Sequence, residues 1–389
     1  MEDSRFLTVP DVTEQKLRQL GLNWFADNID DAYFVEDAVR VTRQEADAYA
    51  AFAKTCVSHF HETLDYLLEG DYREEFGLSP KLWKLATDTW RNRKFYPHAF
   101  GRFDVAGVVD GQPAKLIEFN ADTATVLTEA ALVQEAQLIG QPMWNDIVVA
   151  LADQLIAVAR SREEGDQDVL IVTLGGGEDD DNAQVWLRAA ERAGLNADLA
   201  HLPDVTISPG EGVFREASKD EWYRYGIVVK MMPWDWIDAE EPELLDVLGE
   251  LVSDNLIAVL NPPYAALMQS KAMLAELYRR YPSEPWVLPA GFGKPPTQER
   301  RVVTKPIFGR EGENVAVHER GAELEHRPGD FAEQPRIWQE YVQLPTDSDG
   351  DIYQAGVYWA GGACGLAYRR RDGLVVDDDS EFVCCVVED

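Results

Sequence analysis

Between about residues 168 and 260, short apolar stretches of strand length alternate with stretches of helical spacing, and this alternation leaves the chain few architectures. Val169 to Leu174, Gly226 to Lys230 and Leu256 to Leu260 read as strands, with helices expected from about Ala183 and from Pro242 between them. Strands joined by crossover helices pair in parallel, because the helix returns the chain to the same end of the sheet. A small parallel α/β unit is therefore expected over residues 166–262.

The flanking sequence has other rhythms. Residues 42–69 read as one amphipathic helix: Thr42 and Glu45 form a capping box, Tyr49, Phe52, Cys56, Phe60, Leu64 and Leu67 recur at helical spacing, and Gly70 ends it. Further helical patterns lie near 126–138 and 144–161, and from about 285 onward most segments read as strands and hairpins, with Gly361-Gly362 as one turn. The fold class expected is α/β (α+β), in one module of three lobes: 1–165 with N-terminal helices and a polar hairpin, 166–262 with the parallel unit, and 263–389.

The polar hairpin carries chemistry. Phe103, Val105 and Val108-Val109 read as one strand, Asp110-Gly111 as the turn, and Leu116, Ile117 and Phe119 as the return strand. Residues two apart on a strand share a face, so Arg102 with Asp104, and Glu118 with Asn120, can point into one site. Two carboxylates and an amide oxygen are hard donors suited to Mg²⁺, and Arg102 beside them would bind an anion. A cross-strand Arg/Asp or Arg/Glu pair on a solvated face would carry the same letters.

Charge narrows the partners. Against 36 basic side chains stand 70 acidic ones, a net −34, in a chain of 389 residues that is 46 % hydrophobic and so able to bury a sizeable core. That field repels phosphate backbones and anionic lipid, which argues against nucleic acid and membrane surfaces, and it would attract a polycation. The acids run along the whole chain, as a solvated coat would also require. No apolar run nears the roughly 20 residues that span a bilayer, and Met1-Glu2-Asp3-Ser4-Arg5 lacks the pattern of a signal peptide, so the cytoplasm is the expected location. Cys56, Cys364, Cys384 and Cys385 have neither zinc spacing nor disulfide density and read as reduced thiols. Nothing in the sequence specifies an oligomeric state.

Further motifs follow in order: Ser270-Lys271-Ala272-Met273 opening a helix after Asn261-Pro262-Pro263, then Lys305-Pro306-Ile307-Phe308-Gly309-Arg310-Glu311-Gly312 after a strand, then Ile337-Trp338-Gln339-Glu340-Tyr341-Val342, and a last hairpin ending in Tyr368-Arg369-Arg370-Arg371. Together with the polar hairpin, and in this order, they resemble the glutathionylspermidine synthase family, from about residue 20 to the C-terminus. The resemblance implies an ATP-grasp ligase in which 166–262 precedes an ATP-binding lobe at 263–389. It further implies a reaction in which ATP, with Mg²⁺, phosphorylates a carboxylate and an amine captures the acyl phosphate as an amide.

Residue by residue, the resemblance assigns Asp104, Glu118 and Asn120 to the metal, and Arg102 and Arg310 to the reacting carboxylate and phosphoryl group. Lys271, Lys305, Gly309 and Gly312 fall to the ATP phosphates, and Gln339, Glu340, Tyr341 and Val342 to the adenine, chiefly through their peptide groups. Thr123, Thr125 and Arg369 would face the carboxylate substrate, while Glu178 and Asp179 would face a polyamine or other amine. Open alternatives remain at several positions. Glu178 and Asp179 also describe a solvated, helix-starting acidic cluster, Lys271 a snorkelling surface lysine, the 305–312 loop a Pro/Gly turn with incidental charges, and Arg369 to Arg371 a set of internal ion pairs. Leu174-Gly175-Gly176-Gly177 lacks dinucleotide or P-loop spacing and reads as a bare turn, and the Pro233-Trp234-Asp235-Trp236 segment reads mainly as packing.

Two departures from the family pattern bear on substrate. The glutathione-using members have Ser, Ala, Ser, Cys after the Asn-Ala-Asp motif, where this chain has Thr123, Ala124, Thr125 and Val126. No Cys/His amidase unit precedes the resemblance in this sequence, so hydrolysis of the product is not expected. The alternatives are a ligase of the same fold acting on an amino-acid or peptide amine, and a catalytically silent nucleotide-binding protein.

Overall fold

The helix foreseen from the capping box runs Arg43–Leu67. Thr42 Oγ1 accepts from the Glu45 N–H at 3.2 Å and the Glu45 carboxylate accepts from the Thr42 N–H at 2.9 Å, which satisfies two donors that a helix start leaves unpaired. Its apolar positions, Tyr49 to Leu67, are buried against the largest sheet of this computed structural model, which describes residues 1–28, 33–218, 221–295 and 300–388.

That sheet has seven strands in the order Phe6–Thr8, Phe34–Thr42, Glu381–Glu388, Ala363–Arg371, Ile352–Trp359, Gly101–Ala106 and Lys115–Asn120. Only the pairing of Glu381–Glu388 with Phe34–Thr42 is parallel. The lobe boundaries expected at 1–165 and 263–389 cut through this sheet, which takes strands from both ends of the chain. The reason is physical: an isolated hairpin is marginal in water, and Gly101–Ala106 gains its second neighbour only from Ile352–Trp359. Phe103 and Phe119 stack at 3.8 Å beneath it, both buried.

The expected parallel sheet is present in the order Ala258–Leu260, Ile227–Lys230, Val169–Thr173 and Ala197–His201, all pairs parallel. Sequence reading missed the edge strand Ala197–His201, which is only partly buried, and an added three-stranded sheet, Val205–Ser208, Gly212–Ser218 and Glu221–Tyr225. The helix expected from Ala183 begins earlier, at Glu178. Four acids fill its first turn, where the helix dipole favours them, and Asp181 accepts from the Asn23 and Phe25 N–H groups.

A third, antiparallel sheet runs Ala290–Phe292, Arg336–Glu340, Val302–Pro306, Ala316–Glu319 and Ala322–His326. Among the described residues no helix is long and apolar enough to cross a membrane. All four cysteines are free and buried.

Candidate active site

The polar hairpin has the register its sequence implies. Arg102 lies opposite Asn120 and Asp104 opposite Glu118, so the four side chains occupy neighbouring positions on one face. The ladder is shorter than expected: it stops at Ala106 and resumes at Lys115, leaving Val108 and Val109 in the connection. Asp110 and Gly111 do take positive φ, 58° and 71°, as an Asp-Gly turn requires. At Gly107, φ 87°, a Cβ would meet the Pro113 carbonyl at 2.3 Å, so only glycine fits.

This face opens into a cavity of ≈ 590 Å³ walled by the seven-stranded and five-stranded sheets, within the size range of small-molecule sites. Every site residue read from the sequence lines it except Asp179. The exception follows from helix geometry: successive side chains turn by about 100°, so with Glu178 facing the cavity its neighbour faces elsewhere.

At the hairpin end the expected metal donors meet cations. Arg102 Nε and Nη2 donate to the two Asp104 oxygens at 2.7 and 3.1 Å, and its Nη1 donates to the Thr125 carbonyl at 2.6 Å. Asn120 Nδ2 donates to Asp104 Oδ2 at 3.1 Å, so the amide turns its nitrogen, not its oxygen, toward that carboxylate. Glu118 lies 3.3 Å from Lys271 Nζ. Burial alone would raise the Glu118 carboxyl, but Lys271, Lys305 and Arg102 outweigh it and hold it down to about 2. Glu118 is thus an anion at any ordinary pH.

Both lysines are buried. Lys271 stands at the N-cap of the helix Ala272–Arg280 rather than inside it, and its Nζ donates to the Gly309 carbonyl at 2.7 Å. Lys305, on the strand Val302–Pro306, donates to Gln339 Oε1 at 2.8 Å and to the Ile117 carbonyl at 3.2 Å. Burial pushes its ammonium down to about 8 against the opposing pull of Glu118. Gln339 is engaged through its side chain, and of the peptide groups expected to matter most there, the Glu340 and Tyr341 N–H groups already bond to the Pro289 and Arg301 carbonyls. The strand ends at Glu340, and Tyr341 and Val342 line the cavity beyond it.

A phosphate held by Lys305 would restore its proton, so the free group near 8 and the bound group above it make binding take up a proton in alkaline solution. The affinity for MgATP is expected to be flat below about pH 8 and to fall about tenfold per pH unit above it, and calorimetry in buffers of different ionisation enthalpy should show the proton uptake.

Over the cations lies the loop after Lys305. Gly312 has φ 72° and a Cβ there would meet Asp377 at 2.8 Å, so this glycine lets the loop press on the 376–377 backbone. Gly309 has no such dihedral, and its contribution is the carbonyl given to Lys271. Arg310 Nη2 donates to both Asp235 oxygens at 2.6 Å. The Pro233 to Trp236 segment thus does more than pack.

Part of the cavity lining is acidic. Glu178, Glu311, Asp377, Asp378 and Glu381 line it, and burial, with the charge of Glu129, pushes the Glu178 carboxyl up to about 8. Burial likewise raises Asp179 to about 6. Arg369 lines the cavity, and its Nε and Nη2 donate to the backbone carbonyls of Asp377, Asp378 and Ser380, fastening that loop. Arg370 and Arg371 form the internal ion pairs left open as the alternative, with Glu381 and Asp377. Thr123 and Thr125 also line the cavity.

Sequence reading missed the frame beneath the hairpin. Asp122 accepts from Lys230 Nζ and from the Trp234 N–H, each at 2.6 Å, with all three residues buried. Gln269 Oε1 accepts from the Ala121 and Asp122 N–H groups, and Asn261 Nδ2 donates to the Phe100, Ala121 and Asp122 carbonyls. The usable signal was a lone lysine ending an all-apolar strand, Ile227–Lys230, which demands a buried partner.

A family model described as glutathionylspermidine synthase preATP-grasp matches residues 5–388. A putative acid–amine ligase of Haemophilus influenzae is 28 % identical over 335 residues, covering 82 % of this chain and 81 % of that protein. A trypanothione synthetase of Crithidia fasciculata is 25 % identical over 406 residues, covering 95 % of this chain, which spans 61 % of that protein's length. Among solved structures, a glutathione synthetase-like effector from Globodera pallida, in its apo form, superposes with a TM-score of 0.56 at 12 % identity over 98 % of this chain and 100 % of that one, a likeness of fold.

Proposed function

The chain belongs to the glutathionylspermidine synthase family, and from that premise we propose that it is an ATP- and Mg²⁺-dependent ligase of ATP-grasp type that joins a carboxylate to an amine through an acyl phosphate. The single observation that carries this reading is the convergence of Arg102, Lys271, Lys305 and Arg310, from four separated segments, on one cavity. Lys271 and Lys305 are buried and Arg102 and Arg310 partly so, and several phosphate charges would account for gathering four cations on one cavity.

The donor chemistry suits Mg²⁺. Among the described residues no three His, Cys, Asp or Glu side chains cluster closely enough to form an all-protein metal site, and Mg²⁺ is commonly held by one or two carboxylates with substrate phosphates and water. Ionised Glu118 would be the first ligand, with Asp104 and the Asn120 amide oxygen beside it once a metal displaces their present contacts. The ion would supply neutralisation of the phosphate oxygens.

The chain's own residues supply the rest. Lys271 and Lys305 hold the non-transferred phosphates, and the Gly309 to Gly312 loop covers them and excludes water. Arg310 stabilises charge on the phosphoryl group as it passes to the carboxylate, and Arg102 orients that carboxylate. The amine nitrogen, in its neutral form, then forms its bond to the acyl carbon, phosphate leaves with the electron pair of the broken C–O bond, and the proton shed by the nitrogen passes to the departing phosphate or to water. The acidic part of the cavity lining, Glu178 included, supports a cationic amine, and Asp179 outside the cavity supports a lesser role for that residue. Thr123, Thr125 and Val126 in place of the serines and cysteine of glutathione-using members support a peptide or amino-acid carboxylate other than glutathione.

A screen of acid and amine pairs, glutathione with spermidine among them, read by ADP formation and by the mass of the product, tests the reading. Substrate-stimulated ADP with a product heavier than the acid by the amine less water supports it. MgATP binding without stimulation by any pair favours the silent alternative. In the same assay Asp104→Asn is expected to raise the Mg²⁺ concentration for half-maximal rate by about 10-fold.

A further inference from the structure

Asp235 does not line the cavity, yet it is the carboxylate that Arg310 touches. Both contacts use Arg310 Nη2, so Nη1 and Nε are not engaged by Asp235. The pair is partly buried, its Arg310 and Asp235 side chains 28 % and 10 % exposed, unlike the fully exposed ion pairs that contribute little.

Asp235 is itself registered from behind. It stands in the first turn of the helix Trp234–Glu240, whose Trp234 N–H donates to Asp122 Oδ2 and whose Trp234 indole N–H donates to the Asn261 carbonyl at 2.9 Å. Asp122 follows by two residues the strand end at Asn120. A line of short contacts thus runs from the hairpin bearing Glu118 and Asn120, through Asp122, Trp234 and Asp235, to Arg310. The loop bearing Arg310 is held by turn bonds rather than by regular structure: Glu311, Gly312 and Asn314 all have positive φ, the Glu313 N–H donates to the Arg310 carbonyl and the Val315 N–H to that of Gly312, and no helix or strand lies between Pro306 and Ala316. A long side chain on such a loop would sample many directions unless something outside fixed it.

We propose that Asp235 is a positioning residue that aims Arg310 at the transferring phosphoryl group by tying it to the frame of the metal-site hairpin. The inference rests on the ligase reading above. It separates Asp235, whose effect on turnover would pass through Arg310, from a residue that merely packs.

The test compares Asp235→Asn, Asp235→Ala, Asp235→Glu, Arg310→Ala and the double variant Asp235→Ala/Arg310→Ala in the full chain. Turnover is measured with the acid and amine pair found by the screen, and amide exchange across residues 309–314 is measured in the protein without nucleotide. Expected for Asp235→Asn and Asp235→Ala are a fall in kcat of about 10- to 100-fold with the KM for ATP within about threefold, partial recovery in Asp235→Glu, and exchange about tenfold faster at 309–314 but unaltered in the helix Arg43–Leu67. The double variant should be no slower than Arg310→Ala alone. Additive losses, an unchanged kcat, or unaltered exchange at 309–314 would each overturn the proposal. Failure of the wild-type protein to turn over any pair would count against the ligase reading instead, and the exchange measurement, which needs no substrate, would still decide whether Asp235 tethers the loop.

Discussion

Arg310→Ala is expected to bind MgATP with an affinity within about threefold of wild type while turnover falls about 10³-fold, as when an arginine aimed at a transferring phosphoryl group is removed. The split follows from the division of charge in the cavity. Lys271 and Lys305 are buried beneath the loop and bonded to the Gly309 carbonyl and to Gln339, so their positions do not depend on Arg310. Arg310 reaches the cavity from the loop, tied to Asp235, and in the proposed reaction its contribution would grow only as charge develops on the phosphoryl oxygens. Calorimetry with MgATP and steady-state ADP formation check the two halves separately. Lost ATP affinity with an unchanged kcat would place Arg310 among the ground-state phosphate contacts.

Asp122→Ala is expected to lower the stability of the chain by about 3–5 kcal/mol, more than any substitution on the cavity surface, because it strands a buried ammonium. Burial pushes Lys230 and Asp122 each toward its neutral form, and their mutual contact at 2.6 Å opposes that in both. With the carboxylate gone, Lys230 keeps only the Met232 carbonyl as an acceptor, and the Trp234 N–H loses its own. Lys230→Met alone would leave an unpaired carboxylate and cost a similar amount. The double variant Asp122→Ala/Lys230→Met should recover much of the loss, since an apolar pair fits the surrounding core. Urea unfolding of the three variants measures this, and a double variant no better than either single one would mean that the backbone contacts of Asp122, not the charge pair, hold the frame.

Much of the site could be read from the letters because its chemistry is local. Strand periodicity alone puts Arg102, Asp104, Glu118 and Asn120 on one face, and a lysine beside a glycine loop is visible without a fold. What escaped reading was whatever depends on contacts between distant segments. Asp235 looked like packing because its partner lies 75 positions away in sequence. The carbonyls that Arg369 fastens escaped reading because they belong to a loop without regular structure. The contacts of the Gln339 segment escaped because the Pro289 and Arg301 carbonyls that take the Glu340 and Tyr341 N–H groups lie in distant segments. The lobes suffered the same limit. Alternation announces a parallel sheet built from neighbouring segments, whereas a sheet closed by the first and last strands of the chain leaves no local trace.

The most direct measurement follows oxygen. With the carboxylate substrate labelled with ¹⁸O and unlabelled water, each turnover through an acyl phosphate moves one labelled oxygen into the released inorganic phosphate, and that is the expected result. Amide formed alongside phosphate that carries no label would contradict the proposed chemistry.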